Sequence, residues 1–277
     1  MTPLTPGPAR TVFVAQLPHP PPTPVVVSVP HAGVSTEGFE AALTSGLDVR
    51  CDADLWVDEL YQAAQPTAFI HATLSRFVCD LNRDPDDVSL RAVRGHPDPR
   101  NVGGRGFIWE VTTGGQPTLT RALSPAEWEN RRQIHAAYHR AISDALARAR
   151  ARFGWALLVD GHSMPSVGRS GHADSGRERA AVVPGDRLGK SCDPRISALV
   201  GQHFSERGLS VAFNDPYGGG FTTAHHGTPD SGIHAIQIEV RRDLYMDETT
   251  YARKPAEMAT VSRHLDGLLR KLESLTL

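Results

Sequence analysis

The sequence predicts a single α/β domain with a mixed, mostly parallel central sheet flanked by helices. Three observations carry that reading. Residues 24–29 (PVVVSV), 155–159 (WALLV) and 233–240 (IHAIQIEV) are short, almost wholly apolar runs, the pattern of strands buried on both faces. Helical patterns alternate with them, most clearly at 124–152 and 260–272. The length of 277 residues allows one large or two small domains, and an alternation that continues along the whole chain without an internal repeat favours one.

Composition narrows the function classes. The chain is 40% apolar, enough for a sizeable core, and its formal net charge is −2 with acids and bases interspersed. No basic run marks a nucleic-acid partner. No stretch of about 18 apolar residues predicts a membrane span. The opening MTPLTPGPAR lacks the apolar core of a signal peptide, so a cytoplasmic protein is expected. Three widely spaced cysteines, Cys51, Cys79 and Cys192, form no metal-binding pair and are expected to be reduced, buried thiols. No oligomeric state is predicted. Thirteen histidines stand out, several of them beside Asp, Gly or Pro at apparent element ends.

Taken in order, residues 1–10 and 18–24 are proline-rich and expected to be extended, with a short strand at 11–15 between them. The strand at 24–29 ends in Pro30, His31, Ala32 and Gly33, an apolar run delivering a histidine among small residues. Residues 48–64 form an acidic approach and a helix, with Leu55, Trp56, Leu60, Tyr61 and Ala64 on one face. Asp52 and Asp54 stand at its start, where a carboxylate favours the helix dipole; that is the structural alternative to a chemical role. Strands are predicted at 67–72 and 76–81, the second leading into Asn82 and Arg83 before a proline turn. Residues 85–117 are a long, polar, glycine-rich loop, and loops of that length in compact domains are usually functional or disordered. Of its arginines, Arg91, Arg94, Arg100 and Arg105, some suit an anionic ligand and most are expected to be solvated.

Ser124, Pro125 and Glu127 form a capping box with proline at the first helical position, and the helix runs to about residue 152. Trp128, His135, Tyr138, Ile142, Leu146, Ala149 and Phe153 mark its buried stripe. His135 and His139, one turn apart without an evident acidic partner, read as core or surface histidines rather than ligands. The strand at 155–159 then runs straight into Asp160, Gly161, His162 and Ser163. A second charged, glycine-rich loop occupies 165–191, and Asp193-Pro194 opens a helix that Arg207-Gly208 stops. A strand at 209–214 leads into NDPYGGGFTT, which lacks the pattern of a phosphate loop. The strand at 233–240 carries Glu239, costly to bury unless paired or used; Arg241 or Arg242 is the expected partner if the role is structural. Leu265, Leu268, Leu269 and Leu272 define the last amphipathic helix.

Four predicted strand ends thus present polar groups: His31, Asn82 with Arg83, His162 and Glu239. In open α/β sheets the ligand crevice lies beyond the carboxyl ends of the strands. A catalytic zinc takes about three protein ligands from His, Asp and Glu and keeps one position open. Two histidines and a carboxylate suit it, and a further acid off the metal suits a general base. An arginine beside an asparagine suits capture of a substrate carboxylate.

These residues sit in motifs that resemble the N-formylglutamate amidohydrolase family: SVPHAG (28–33), DADLWVDELY (52–61), SRFVCDLNRDPD (75–86), VDGHSM (159–164), NDPYGGGFTT (214–223) and HAIQIEVRRDLYMDE (234–248). The resemblance spans about 27–248, and its specificity lies in the six motifs occurring together in order. It implies a zinc-carboxypeptidase-like (phosphorylase/hydrolase-like) fold and a divalent metal, zinc first. By that likeness DLNR matches the carboxypeptidase Asn-Arg pair that holds a carboxylate, GHS the third-ligand histidine, and IEVRRD the strand of the general-base glutamate. Carboxypeptidases place a ligand glutamate three residues after the first histidine; here Val34 stands there. The second ligand is therefore expected from Asp54, then Asp52, with Glu37 third.

The implied activity is hydrolysis of N-formyl-L-glutamate to formate and glutamate, with a role in histidine breakdown. Its expected parts are His31, Asp54 and His162 on the metal, Glu239 as general base, and Asn82 and Arg83 on one carboxylate. Arg76 is expected to bind another carboxylate or steady the oxyanion. Ser163, Asn214, Tyr217, Thr222 and His225 are further candidates. The competing readings are a carboxypeptidase or N-acyl amino-acid amidohydrolase of wider range, and a relative that binds a small carboxylate without turnover.

Overall fold

Parallel strands with apolar residues on both faces order the molecule. The computed structural model describes residues 11–66, 68–101 and 103–277; the expected extended tail at 1–10 lies outside them. The strands are β1 (Phe13–Gln16), β2 (Val25–Val29), β3 (Phe69–Ala72), β4 (Ala156–Met164), β5 (Val182–Gly185) and β6 (Ile233–Arg241). The helices are α1 (Val57–Ala63), α2 (Pro125–Phe153), α3 (Pro194–Ser205), α4 (Phe221–His226) and α5 (Pro255–Glu273). The sheet order is β1-β3-β2-β4-β6-β5. Its four central strands are parallel, and β1 and β5 close the edges antiparallel.

Alternation along each central strand divides two cores. Val25, Val27 and Val29 of β2, Leu157 and Val159 of β4, and Ile236 and Ile238 of β6 face one side, where Leu60 and Tyr61 of α1, Val200 of α3 and Leu265 and Leu269 of α5 cover them. Val26, Ile70, Leu158 and Ala235 face the other, against Tyr138, Ile142 and Leu146 of α2. The α2 capping box forms as its sequence requires: Ser124 Oγ accepts from Glu127 N–H, and the Glu127 carboxylate accepts from Ser124 N–H.

Several expectations need correction. Residues 76–81 are not a strand: Val78 N–H bonds back to Ser75 O and Arg83 N–H to Asp80 O, so the apolar run Phe77-Val78-Cys79 is a buried turn. Residues 209–214 make one isolated bridge, Val211 with Val182, rather than a strand, and Asn214 ends the segment in a left-handed conformation (φ 59°). The predicted loop at 165–191 contains β5, and the segment after the glycine run coils into α4. Asp52 and Asp54 precede the first turn of α1, whose acids are Asp58 and Glu59. Cys79 and Cys192 are buried free thiols, but Cys51 is half-buried. No helix among the described residues is long and apolar enough to cross a membrane.

Candidate active site

Because β3, β2, β4 and β6 are parallel, their carboxyl ends open on one edge of the sheet, and a cavity of roughly 510 Å³ lies there. Its volume is ordinary for a small-molecule site. β2 delivers His31 two residues past Val29, β3 leads into the buried turn that carries Arg76, Asn82 and Arg83, β4 carries His162, and β6 carries Glu239. The β4–β6 register sets His162 directly opposite Glu239 and Asp160 opposite Gln237.

Asp54 enters from the turn before α1, held by its N–H on His31 O at 2.9 Å. Its Oδ2 lies 3.0 Å from His162 Nδ1 and 3.6 Å from His31 Nδ1. One ligand atom from each of these three buried residues falls within 4.8 Å of the others, the only such group of His, Cys, Asp or Glu among the described residues. Both imidazoles turn their other nitrogen to a buried carboxylate: His31 Nε2 is 2.7 Å from Asp80 Oδ1, and His162 Nε2 is 2.9 Å from Asp160 Oδ2. A carboxylate on Nε2 holds the proton there and leaves the Nδ1 lone pair pointing at the partner ligands. Two such nitrogens and a carboxylate oxygen form a donor set that fits a divalent ion such as zinc.

Without an ion, the Nδ1 atoms share protons with Asp54, which a bound cation would displace. Burial opposes ionisation of Asp54, but hydrogen bonds from His162 and His31 outweigh it and hold its carboxyl well below the usual range. Burial likewise opposes charge on Asp80, and Arg76 and His31 overcome it. Burial alone would lower His162; the charge of Asp160, with Asp54, instead lifts it well above an ordinary histidine. Arg242 Nη2 holds Asp54 Oδ1 at 2.9 Å and its Nε holds Ser163 Oγ at 3.1 Å. Arg242 therefore serves Asp54 and not Glu239, while Arg241 pairs outward with Asp243 and Glu178, which corrects the expected pairing of the strand glutamate.

Glu239 is fully enclosed. Gln237 Nε2 donates to its Oε1 at 2.9 Å, whereas Oε2 is buried without a hydrogen-bond partner. Burial pushes its carboxyl up to about 7, a value suited to taking and returning a proton near neutrality. Gln237 Oε1 in turn accepts from Gly220 N–H at 3.1 Å, and Asn82 Oδ1 accepts from Thr222 N–H at 2.8 Å. Gly220 must lack a side chain, since a Cβ there would meet the Asn82 amide at 2.4–2.6 Å.

The other expected residues divide. Ser163 and Tyr217 line the cavity; Asn214, Thr222 and His225 do not. Asn214 braces a neighbouring loop through Asp186 and Leu188, Thr222 acts through its backbone, and exposed His225 stacks on Phe221. Asp52 lines the cavity but is occupied by Thr113 and Arg169, and Glu37 is an exposed residue outside the ligand group. Arg76 lines the cavity with its nitrogens committed: Nε and Nη2 to Asp80 Oδ2 at 3.1 and 2.7 Å, Nη1 to Asp52 O at 3.2 Å. His135 and His139 are buried against the Arg83 and Leu81 carbonyls, the core role expected of them.

Residues 23–246 match the family model described as N-formylglutamate amidohydrolase. The chain belongs to that family. It is 32% identical to an N-formylglutamate deformylase of Pseudomonas aeruginosa over 91% of this chain and 92% of that one. Identity to an N-formylglutamate deformylase of Pseudomonas putida is 33%, over 82% and 83% of the two chains. A crystal structure of an N-formylglutamate amidohydrolase from Ralstonia eutropha superposes with a TM-score of 0.85 at 32% identity, covering 95% of this chain and 98% of that one. A gene product of Agrobacterium tumefaciens, 21% identical, shares the fold at a TM-score of 0.65 over 94% of each chain. In this N-formylglutamate amidohydrolase family member, every cavity residue named above lies inside the matched span.

Sequence reasoning did not assign roles to Asp80, Asp160 and Gln237. Asp160 and Gln237 had a legible signal: each sits two residues from a site residue on the same strand, hence on the same face.

Proposed function

We propose that the protein is a metal-dependent hydrolase that cleaves N-formyl-L-glutamate to formate and L-glutamate. The observation that carries this reading is the buried, unpartnered Oε2 of Glu239 in the same cavity as the His31, Asp54 and His162 cluster. A purely binding cavity has no use for an orphaned carboxyl oxygen, whose burial is costly. The relatives named N-formylglutamate deformylase supply the substrate.

His31 Nδ1, His162 Nδ1 and Asp54 Oδ2 would hold the ion, with Asp80, Asp160 and Arg242 fixing their orientation. A divalent ion there supplies acidification of a water and polarisation of the amide carbonyl. Glu239 Oε2 receives the proton of the attacking water and returns it to the nitrogen of departing glutamate, the two-way duty its elevated pKa permits. Gln237 keeps Oε1 occupied, so the proton is handled at Oε2. Arg83, whose Nε is buried without a partner, and Asn82 receive the α-carboxylate. Arg76 holds Asp80, and through it His31, rather than substrate.

Formate release by the purified protein tests the reading, with N-formyl-L-glutamate compared with N-acetyl-L-glutamate and a dipeptide ending in glutamate. Hydrolysis of the formyl compound in clear preference is expected. Preference for the acetyl compound or the dipeptide would transfer the site to the wider amidase class.

A further inference from the structure

The cavity holds a charged residue to which the proposed function gives no role. Four arginines line it: Arg76, Arg83, Arg105 and Arg242. Arg76 is neutralised by Asp80 and Arg242 by Asp54. Arg83 and Arg105 make no ion pair with a carboxylate among the described residues. The only side-chain hydrogen bond of Arg105 there runs from Nη2 to Gly171 O, which leaves Nε and Nη1 uncommitted. A cavity that keeps two guanidiniums uncompensated is matched in charge to a ligand with two carboxylates. Arg83, beside Asn82 in the cavity wall, accounts for one of them.

Arg105 is also placed rather than loose. Its loop is pinned by Asn101, whose Nδ2 donates to Asp87 Oδ1 at 3.0 Å and whose Oδ1 accepts from Gly104 N–H at 2.7 Å. Phe107 N–H bonds Asp87 O at 2.8 Å, and Gly106 permits this approach, because a Cβ there would sit 1.9 Å from that oxygen. The bond to Gly171 then ties the guanidinium to the opposite loop. Three arginines stand around His172 on that wall: burial first, then Arg179, with Arg105 and Arg169 adding to it against the opposing Asp174, pushes the imidazole down to about 4. Arg179 and Arg169 are answered by Asp174 and Asp52, so the unanswered charge there is Arg105. Fixed donors on a pinned loop are the usual means of reading a planar anion with both specificity and affinity.

We infer that Arg105 is the specificity-determining residue that binds the side-chain carboxylate, so that the site selects N-acylated dicarboxylic amino acids over their neutral counterparts. The inference rests on the hydrolase reading for its substrate, and it adds the residue that discriminates glutamate from glutamine.

The test uses Arg105→Gln and Arg83→Gln with two nearly isosteric substrates, N-formyl-L-glutamate and N-formyl-L-glutamine. Wild type should prefer the glutamate compound. Arg105→Gln should lower kcat/KM for it on the order of tenfold to a hundredfold, the range for losing a charge-assisted pair, mainly through KM. Its activity on the glutamine compound should fall much less, so the glutamate-to-glutamine ratio drops, and a thermal midpoint near wild type shows the variant folded. Arg83→Gln should weaken both substrates alike, since both carry the α-carboxylate. An unchanged glutamate-to-glutamine ratio in Arg105→Gln would overturn the assignment. Calorimetric binding of glutarate against its monoamide separates this from the hydrolase reading. Should wild type release formate from neither substrate, Arg105-dependent preference for glutarate still upholds the dicarboxylate site while the deformylase reading falls. Glutarate binding that ignores Arg105→Gln, or no glutarate binding, defeats the inference.

Discussion

Asp160 Oδ2 lies 2.9 Å from Nε2 of His162, which turns the other ring nitrogen, Nδ1, toward Asp54 and the His31 side of the cluster. Asp160 is fully buried, and its Oδ1 has no partner, so the residue is held in place for this one bond. Asp160→Asn keeps the volume and loses the charge that orders the tautomer. Affinity for zinc should fall about 10- to 100-fold, as is typical when such an outer partner is removed. Competition titration against a chelator of known affinity measures it. An affinity equal to wild type would remove Asp160 from the site.

Glu239→Gln preserves the shape of the side chain and its contact with Gln237 but cannot accept the proton. Turnover should drop by roughly 10²–10⁴, the range of general acid–base catalysis, while bound metal and thermal midpoint stay near wild type. Steady-state formate release and elemental analysis on one preparation decide it. A variant that retains kcat would place the base elsewhere.

How much of this was legible in the sequence follows from physics. β2, β4 and β6 were visible because a strand covered on both faces is a continuous apolar run. The same rule misread residues 76–81, since a buried turn has the same composition; what distinguishes it is the tertiary cover of Trp109, stacked with the Arg76 guanidinium 4.5 Å from its ring and bonded to Asp80. His31, His162 and Glu239 stood out as polar residues at predicted strand ends, whereas Asp54, at the start of a helix, was expected as a ligand only because Val34 stands where the resemblance places a glutamate. Asp80 did not stand out, because its tie to His31 joins residues 49 positions apart. Arg105 was one of four arginines in a loop, and its place in the cavity wall without a carboxylate partner among the described residues is what sets it apart.

Asp54 has a second task, as the counter-charge of Arg242 in a pair with 3–4% side-chain exposure. Asp54→Ala should lose the ion and leave a buried guanidinium unanswered. A destabilisation of about 3–5 kcal/mol follows for the metal-free protein, read from urea unfolding. A midpoint within error of wild type would contradict the pairing.

The histidines behind the Asn82–Arg83 turn set a pH limit. His139 Nδ1 lies 2.9 Å from His226 Nε2, its Nε2 lies 2.8 Å from Leu81 O, and His135 Nε2 lies 3.0 Å from Arg83 O. Burial pushes His135 down to about 4 and His226 to about 3, and lowers His139 well below the ordinary value. The unfolded chain protonates these groups near 6.5, so between there and about 4 it binds more protons than the folded one. Their contribution is therefore complete above about pH 6.5 and is lost as pH falls through that window, with His135 alone worth on the order of 3 kcal/mol. The low-lying carboxyls of Asp54 and Asp80 titrate below it. Glu239 and His162, whose protonated forms the fold favours, shift stability the other way over the same range, so the histidine share is read as a difference between proteins. Urea unfolding of wild type and His135→Gln at about pH 7.5 and about pH 5 should show a smaller loss on acidification in the variant, and identical pH dependence of the two would refute neutral burial of His135.

The most direct test of the central claim is formate release from N-formyl-L-glutamate by protein stripped of metal and then titrated with zinc. No release is expected from stripped protein, with activity restored in proportion to zinc up to about one ion per chain and abolished in His162→Ala. Full activity of protein that elemental analysis shows to be metal-free would contradict it.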